Sequence, residues 1–375
     1  MTRHIYADNA ATTQLDKTAF EAMTLWLVEE YGNASQPYSF ARKPKKALAS
    51  ARALIAECIG ALPEEIYFTS GGTESDNWVI KGMAFADRDK REMITSLFEH
   101  HAILHSCEVI ERQGYRVFYL QPNSEGYITA EALKKRISDN TRLVSVMFAN
   151  NELGTIQPIK ELCDIAHKRG VLFHTDAVQA VGHVEIDVHE LGVDFLSASA
   201  HKFNGPKGIG FLYVRKGVDL NPYIDGGAQE QGHRAGTENV ASIVGMATAL
   251  KINCDELANN QQYLYGLEQQ LLERLDGSGV AYVRNGGKSI LPGVLSLSFP
   301  GREGEAILHR MDLMGISIST GSACDSKNTE ISHVLRAIQL EESLARGTIR
   351  ISLGKNNTID DVEAIATALK KIVSR

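Results

Sequence analysis

Val171-Leu-Phe-His-Thr-Asp-Ala-Val-Gln179 and Phe195-Leu-Ser-Ala-Ser-Ala-His-Lys202 share one pattern, a short apolar run that ends in polar side chains. Such a run is typical of a buried strand. Helical patterns lie between the runs, as in residues 159–169, where apolar residues recur every three or four positions. Strands that alternate with helices predict an α/β fold whose large domain has a mainly parallel, doubly wound sheet covered on both faces.

The same alternation continues on both sides of these segments. Further strands are predicted at 65–69, 93–96, 115–120 and 143–148. After about residue 250 the pattern changes. Helices are predicted at 256–275, where the pattern is long and amphipathic, at 303–314 and from Thr358 onward. Strands are predicted between them at 294–299, 315–320 and 350–353. This mixture predicts a second, smaller α+β domain.

The composition is that of an ordinary globular protein, and it excludes several classes of function. The chain has 375 residues, of which 43% are hydrophobic and 23% charged, with a net charge of −7. These values exclude a disordered chain and argue against a nucleic-acid or anionic-membrane binder. The longest uncharged stretch, residues 289–301, is too short to span a bilayer. The first residues lack a signal-peptide pattern, so we expect a soluble, cytoplasmic protein.

The five cysteines are too widely spaced for a zinc site or a disulfide framework, and the sequence has no Cys-x-x-Cys pair. Cys58, Cys107 and Cys163 lie in helical apolar patterns and are expected in the core. Cys324 differs because it lies in the Gly/Ser-rich segment Ser319-Thr-Gly-Ser-Ala-Cys-Asp-Ser-Lys327. That setting is typical of an accessible thiol.

Polar residues follow several predicted strands, where the ligands of a parallel sheet bind. Asp176 and Lys202 hold such positions, although an ion pair is the commoner arrangement for any one lysine. Gly71-Gly72-Thr73 opens a helix and suits a phosphate, and a glycine turn with Thr73 as N-cap explains the pattern equally well. A lysine for a Schiff base, an aspartate for a pyridinium nitrogen and a phosphate-binding turn together describe a pyridoxal phosphate site.

Three histidines near the strand at 93–96 raise a metal site as an alternative. His101 and His105 have the i,i+4 spacing of helical metal ligands, but Ala102 stands where the zincin pattern requires Glu. A third ligand is not evident nearby, so we expect no metal. A histidine at the end of a strand, such as His100, can instead stack on a cofactor ring.

Two further segments contain candidate anion ligands. Arg350 alternates with apolar neighbours in a strand, where it either holds a carboxylate bidentately or forms a structural ion pair. The glycine-rich segment 226–239 has no regular periodicity, which is typical of a surface loop. Its Arg234 and Thr237 can also reach an anion.

These segments resemble the cysteine desulfurases of the NifS/IscS type, which are pyridoxal phosphate enzymes of aminotransferase fold type I in the class-V aminotransferase family. The similarity extends almost from end to end, and the matching segments are 6–13, 68–77, 99–100, 150–154, 174–179, 199–202, 226–239, 321–324 and 350–354. The resemblance implies a large cofactor-binding domain at 14–255. It implies a small domain at 1–13 and 256–375, with a mobile cysteine loop at about 319–332.

The resemblance also implies how the cofactor is held. Lys202 would bind pyridoxal 5'-phosphate as a Schiff base and later move protons, and His100 would stack on the ring and assist proton transfer. Asp176 would keep the pyridine nitrogen protonated, and Gln179 would contact the phenolic oxygen. The other cofactor contacts, with Thr237 contributed by the second subunit of a homodimer, would come from Gly72, Thr73, Asn151, Ser199, His201 and Thr237.

The substrate implied by the resemblance is L-cysteine, whose amino-acid end would be positioned by Asn33, Asn151 and Arg350. Cys324 would attack the substrate sulfur, leaving L-alanine and a persulfide on Cys324. The persulfide sulfur would pass to an acceptor protein, in iron–sulfur cluster assembly or in thiolation of tRNA or of a cofactor.

The chain departs from the family pattern at three places that concern the acceptor. Segment 32–38 has Ala, Gln and Tyr where relatives have Pro, Ser and His. Asp325 follows the cysteine where many relatives have Thr, and its carboxylate should raise the pKa of Cys324. The sequence ends at Arg375, without the longer tail that relatives use to dock a scaffold. The alternatives are a selenocysteine lyase, a plain aminotransferase or epimerase, and a non-catalytic sulfur-transfer scaffold.

Overall fold

The computed structural model describes residues 4–86, 90–320 and 331–374. Its strands, in chain order, are β1 (Ile5–Tyr6), β2 (Ile66–Thr69), β3 (Glu92–Ser96), β4 (Arg116–Leu120), β5 (Thr141–Ser145), β6 (Leu172–Asp176), β7 (Phe195–Ser199), β8 (Gly210–Val214), β9 (Val283–Asn285), β10 (Val294–Ser298), β11 (Ile316–Ser317) and β12 (Thr348–Ser352).

The largest sheet has seven strands in the order β2-β8-β7-β6-β5-β3-β4. The pairs from β7 through β6, β5 and β3 to β4 are parallel, which confirms the expected mainly parallel α/β sheet. Strand β8 runs antiparallel to both β2 and β7, an exception that hydrophobic periodicity does not reveal. The strand expected at 143–148 lies slightly earlier, because β5 ends at Ser145.

Both faces of this sheet are buried, as a doubly wound arrangement requires. Consecutive strand residues belong to two different apolar clusters, because side chains alternate across a strand. One cluster includes Ile94, Val144, Phe173, Leu196 and Phe211, and their immediate neighbours, Met93, Leu143, Leu172, Phe195 and Leu212, belong to the other.

Helices cover these faces and the smaller sheet. They are α1 (Lys17–Val28), α2 (Arg42–Cys58), α3 (Gly72–Ala86), α4 (His101–Glu111), α5 (Ala130–Arg136), α6 (Ile159–His167), α7 (Val188–Leu191), α8 (Val240–Asp255), α9 (Leu257–Gly277), α10 (Gly304–Asp312), α11 (His333–Ala337), α12 (Glu342–Ala345) and α13 (Ile359–Val373). In the part of the chain that the structure describes, no helix is both long and apolar enough to cross a membrane.

The smaller sheet is built from β9, β10 and β12, which are antiparallel, and it has an apolar cluster of its own with α9, α10 and α13. The last helix begins as the sequence predicts. Thr358 Oγ1 accepts a hydrogen bond from the Asp361 amide, and the Asp361 carboxylate accepts one from the Thr358 amide. This capping box satisfies backbone donors at the start of α13. The strand expected at 315–320 is shorter, as β11 covers only Ile316–Ser317.

Candidate functional site

The ends of β6 and β7 bring together the polar residues expected from the sequence. Asp176 and Ser199 are the last residues of these parallel neighbours. The Asp176 carboxylate is buried, and its Oδ1 accepts a hydrogen bond from the Val178 amide at 2.9 Å. Burial raises the pKa of Asp176 to about 6, and the hydrogen bond and the positive charge of Lys202 oppose that rise. Asp176 and Lys202 therefore act on each other at one edge of the sheet.

Lys202 lies in the turn after β7 and is fixed by the N-terminal segment. Its Nζ donates to the carbonyl oxygens of Ala10 and Ala11 at 2.6 and 2.9 Å. The side-chain amide of Gln179 donates to the same Ala10 oxygen at 2.9 Å. Gln179 thus contacts the segment that holds the lysine, an arrangement the sequence pattern does not reveal.

The turn that carries Lys202 has a strained backbone held by local hydrogen bonds. Asn204 has a φ of 62°, a left-handed conformation that is uncommon for residues other than glycine. The Asn204 amide donates to Thr13 Oγ1 at 2.8 Å, and its side chain donates to the carbonyl of Gln14 at 2.9 Å. The Thr13 amide donates to the carbonyl of His201 at 2.9 Å. These contacts set the direction in which the lysine leaves the backbone.

His100 is the N-cap of α4 and lies near the lysine. Its Nδ1 accepts a hydrogen bond from the Ala102 amide at 3.1 Å, so the neutral ring carries its proton on Nε2. Burial, followed by the positive charge of Lys202, lowers the pKa of His100 to about 4. The ring is therefore a neutral N–H donor at physiological pH.

Gly71 and Gly72 form the start of α3, beside the end of β7. A Cβ on Gly72 would meet Val178 Cγ2 at 2.4 Å, and one on Gly71 would lie 3.4 Å from Ser199 Oγ. The Gly71 amide donates to Thr69 Oγ1 at 3.4 Å, and glycine at 71 and 72 lets an anion approach the helix N-terminus closely. Thr73 lies exposed in the first turn rather than at the N-cap.

His201 borders the same region as Gly71 and Ser199. Its Nδ1 lies 3.1 Å from Thr12 Oγ1. Burial and the charges of Lys202 and Lys207 lower the pKa of His201 to about 4. It is therefore a neutral hydrogen-bonding group rather than a cation.

Arg350 is buried on β12 and already has an acidic partner. Its Nη2 donates to Asp8 Oδ1 at 2.7 Å, and its Nη1 donates to the carbonyl of Asn151 at 2.8 Å. The Nε atom is buried and has no hydrogen-bond partner among the described residues. No recorded contact between described residues joins Asn33 to this group, and its Oδ1 accepts a hydrogen bond from the Ser35 amide. The structure thus brings Arg350 and Asn151 together and leaves Asn33 apart.

Loop 226–239 is anchored by two arginine–carboxylate pairs. Glu230 is buried and bidentate to Arg52, and it also accepts from the Phe68 amide of β2. Arg234 forms an ion pair with Glu74 at 2.8 Å, so the Glu74 carboxylate already balances its charge. Thr237 is exposed, and no recorded contact joins it to the Lys202 group of the same chain.

Three acids near the site, of which Glu99 and Asp76 are buried and Asp8 is partly exposed, were not singled out from the sequence. The Glu99 carboxylate accepts from the Met147 amide at 3.0 and 3.1 Å and from Ser96 Oγ, and burial raises its pKa to about 8. Asp76 lies behind Asp176, and burial together with the Asp176 charge raises its pKa. Asp8 binds Arg350. The sequence feature that could have identified Glu99 is an acidic residue inside an otherwise apolar pattern.

His101 contacts two other histidine rings. The ring centroids of His101 and His105 are 4.9 Å apart, and those of His101 and His333 are 4.8 Å apart. Within the described ranges, no set of three or more histidine, cysteine or acidic side chains is arranged to hold a metal ion. Cys324 and its neighbours Gly321 to Glu330 lie outside the described residues.

Comparison with known proteins agrees with this geometry. Residues 5–365 match the family model of aminotransferase class-V. A relative from Methanosarcina thermophila, named cysteine desulfurase IscS, is 46% identical over 372 residues, 99% of this chain and 92% of that one. A solved structure described as a NifS-like protein has a TM-score of 0.93 and 38% identity, covering 99% of this chain and 100% of its own.

A second similar solved structure is of a protein with a bound amino acid. It is described as SspA in complex with cysteine, with a TM-score of 0.85 and 37% identity, and it covers 94% of this chain and 100% of its own. Family, full-length relatives and solved structures agree over nearly all of the sequence. This chain is therefore a member of the class-V aminotransferase family and, within it, of the cysteine desulfurases.

Proposed function

We propose that this chain binds pyridoxal 5'-phosphate on Lys202, converts L-cysteine to L-alanine and holds the removed sulfur as a persulfide on Cys324. The observation that carries the proposal is the meeting of Lys202, Asp176 and His100 at one sheet edge, beside the N-terminus of α3. An amine, a buried carboxyl and a neutral imidazole are the groups that this chemistry requires.

The residues at this edge fit the cofactor. The helix N-terminus at Gly72, with Ser199 Oγ close to Gly71, suits its phosphate. Asp176, buried and bonded to one backbone amide, suits a protonated ring nitrogen, because such a cation would compensate its desolvated charge. When bound, pyridoxal phosphate supplies an electron-withdrawing ring that stabilises negative charge on the substrate carbon.

The protein groups divide the proton transfers between them. Lys202 Nζ lies against two carbonyl oxygens, which bind it as a donor and hold it at the site. His100, whose Nδ1 is occupied by the Ala102 amide, presents Nε2–H as a donor. Because its pKa is about 4, the imidazole is neutral before the reaction begins. We assign His100 to stacking and proton donation and Lys202 to covalent attachment and proton transfer at the substrate carbon.

Arg350 is assigned to the carboxylate of the amino-acid substrate. It is buried and oriented by the Asn151 carbonyl, and its Nε has no hydrogen-bond partner in the part of the chain that the structure describes. A carboxylate is the bidentate partner that a guanidinium prefers. Asp8 already balances part of the charge of Arg350. The substrate carboxylate therefore either binds Arg350 together with Asp8 or takes the place of Asp8.

The sulfur transfer step balances without another reactant. The Cys324 thiolate attacks the sulfur of the substrate, a new S–S bond forms, and the substrate's C–S bond breaks. The electron pair of that bond stays on carbon, which takes a proton and becomes the methyl group of alanine. The product thiol is a persulfide, Cys324–S–SH, from which we propose transfer of the sulfane sulfur to an acceptor protein in the cytoplasm.

We also propose a homodimer in which Thr237 completes the partner's phosphate site. Thr237 is exposed in its own chain, and the neighbouring surface has exposed apolar side chains on and after α1, including Leu27, Val28 and Tyr31. Contiguous apolar exposure of this kind supports a protein interface. The proposed domains are 14–255, and 1–13 with 256–375, consistent with the separate apolar clusters of the two sheets.

A heterodimer experiment tests the shared site. Thr237→Ala and Lys202→Ala chains are each assayed alone and after mixing under subunit exchange. If Thr237 serves the partner subunit, mixed dimers regain one complete site and part of the activity. An unchanged, low activity after demonstrated exchange would place Thr237 outside the partner's site.

The proposed reaction is tested by visible absorption and by product analysis of the purified protein with L-cysteine. We expect a yellow absorption band that disappears in Lys202→Ala, and formation of alanine with one sulfane sulfur per turnover. Cys324→Ser should keep the band and lose sulfide release in the presence of a thiol. A protein that cannot be loaded with pyridoxal phosphate would refute the proposal.

A further inference from the structure

Two cysteines outside the active site lie against each other at the surface. Cys58 is the last residue of α2, and Cys254 lies at the end of α8. The Cys254 thiol donates to the Cys58 carbonyl oxygen, with 3.9 Å between sulfur and oxygen, and the two thiols shift each other's pKa. Both are half-buried, although the apolar pattern placed Cys58 in the core, whereas Cys107 and Cys163 are buried.

The helices that carry these two thiols pack against each other. The backbone therefore keeps the two cysteines close together. Leu48 and Ile55 of α2 share an apolar cluster with Ile243, Met246 and Leu250 of α8. Interiors of this kind are close-packed and hold their elements in fixed positions. The two sulfur atoms are therefore held near each other by the core of the large sheet.

The surroundings make the two thiols chemically unequal. The interaction between the two thiols is the largest cause of both shifts, and it lowers the pKa of Cys254 and raises that of Cys58. Lys251 also lowers the pKa of Cys254, while burial and the Asp255 carboxylate raise it. One thiol is thus the better thiolate nucleophile, and the other keeps its proton until it is needed.

We propose that Cys58 and Cys254 form a redox-active pair that closes to a disulfide between α2 and α8 on reaction with a low-molecular-weight disulfide such as cystine. The Cys254 thiolate attacks one cystine sulfur, forming a mixed disulfide and releasing one cysteine. The Cys58 thiolate, after losing its proton to solvent, attacks Cys254 Sγ and releases the second cysteine. Two protein thiols are oxidised and one cystine is reduced to two cysteines.

The bridge would act on a helix end that contacts the lysine turn. Asn253, next to Cys254, donates from its side chain to the carbonyls of Phe203 and Ala249 at 2.8 Å each. Phe203 directly follows Lys202. Disulfide formation therefore restrains the part of α8 that supports the turn holding the lysine. Because cystine is the oxidised form of the substrate cysteine, its concentration reflects how oxidised the supply of substrate is.

Peptide mapping tests the proposal on the full-length Cys324→Ser protein, from which the reactive loop thiol has been removed. The protein is treated with cystine, alkylated, digested with trypsin and analysed by mass spectrometry without reduction. Cys58 and Cys254 fall in different tryptic peptides, because Arg52 and Lys81 flank the first and Lys251 and Arg274 flank the second. We expect a linked peptide with the mass of both minus two hydrogens, which separates after reduction.

Single substitutions assign the order of attack. Cys58→Ala should stop at a cysteine adduct on Cys254, Cys254→Ala should leave Cys58 unmodified, and Cys163→Ala, a matched control, should form the bridge like its parent. Native circular dichroism verifies folding of each. Adducts retained on both cysteines, or two thiols that remain fully alkylatable after cystine treatment of the parent, would overturn the proposal.

Discussion

Lys202 Nζ lies 2.6 Å from the carbonyl oxygen of Ala10, on a segment that reaches the lysine from the other end of the chain. The carbonyl oxygens of Ala10 and Ala11 both accept from this amine, so the backbone at residues 10 and 11 helps to fix its position. A backbone acceptor cannot be removed by side-chain substitution. The two acceptors of the lysine therefore remain in place when side chains at positions 10 and 11 change.

The first prediction concerns that amine. Lys202→Ala and Lys202→Arg should each lower the rate of alanine formation by at least roughly 10²–10⁴-fold, because neither supplies a transferable proton and a nucleophilic amine. Steady-state alanine assays measure the loss. Lys168→Ala, which removes an exposed lysine, should have the parent rate, and residual activity above a tenth of the parent in Lys202→Arg would contradict the assignment.

The second prediction concerns the protonation state of His100. Its pKa is about 4 in the folded protein, so its ¹³C or ¹⁵N ring signals should not move between pH 5.5 and 8. In the urea-unfolded protein the same signals should titrate near the ordinary value of about 6.5. A native-state titration midpoint above 6 would show that the ring is charged at the start of the reaction.

The same pKa difference has a consequence for stability. A histidine whose pKa is depressed by folding contributes stability above about pH 6.5, and that contribution is lost as the pH falls toward about 4. The free energy of unfolding of the parent should therefore fall relative to His100→Gln over this window. Urea unfolding of the cofactor-free proteins at several pH values measures it, and parallel curves would contradict the burial of a neutral His100.

The third prediction concerns substrate binding. Arg350→Lys should raise KM for L-cysteine by roughly 10-fold or more with a smaller effect on kcat, because a lysine cannot replace a bidentate guanidinium. Arg346→Lys is the matched control, since its partner Glu342 lies on the surface. An unchanged KM in Arg350→Lys would make the Asp8 contact a purely structural ion pair.

The fourth prediction concerns the start of α3. Gly72→Ala places a Cβ 2.4 Å from Val178 Cγ2, so we expect a loss of about 1–3 kcal/mol in the free energy of unfolding and weaker cofactor binding. Gly266→Ala, in open space within α9, should instead stabilise the protein by about 0.5–1 kcal/mol. Urea unfolding measures the first effect and cofactor titration the second, and equal stability of the two variants would contradict the crowding at Gly72.

The sequence was a good guide wherever chemistry lies at the end of a strand. Asp176, Ser199 and Lys202 were predicted in this way, because an apolar run followed by a polar residue marks the sheet edge where ligands bind. The Asp8–Arg350 pair was not predicted, since no local pattern connects residues so distant. The direction of β8 also escaped prediction, because parallel and antiparallel buried strands have the same apolar pattern.

The resemblance supplied what local patterns could not. No recorded contact of the exposed Thr237 with the described residues marks it as functional, so its role was inferred from the family alone. The sequence left open whether Arg234 reaches an anion or belongs to an ordinary surface loop, and in the structure it is paired with Glu74. A guanidinium in a glycine-rich loop is compatible with both arrangements, and only the fold brings Glu74 of α3 next to it.

The contacts made by the N-terminal segment have a consequence for how the protein is made. Asp8 meets Arg350 across 342 residues of sequence, and Thr13 bonds to the His201 carbonyl across 188. During synthesis the first residues emerge long before their partners, and contacts this non-local form slowly. The lysine turn can therefore form only after residue 204 has left the ribosome, and the arginine site only after nearly the whole chain has. A nascent chain stalled before β12 should fold much of its large sheet and still be unable to bind substrate.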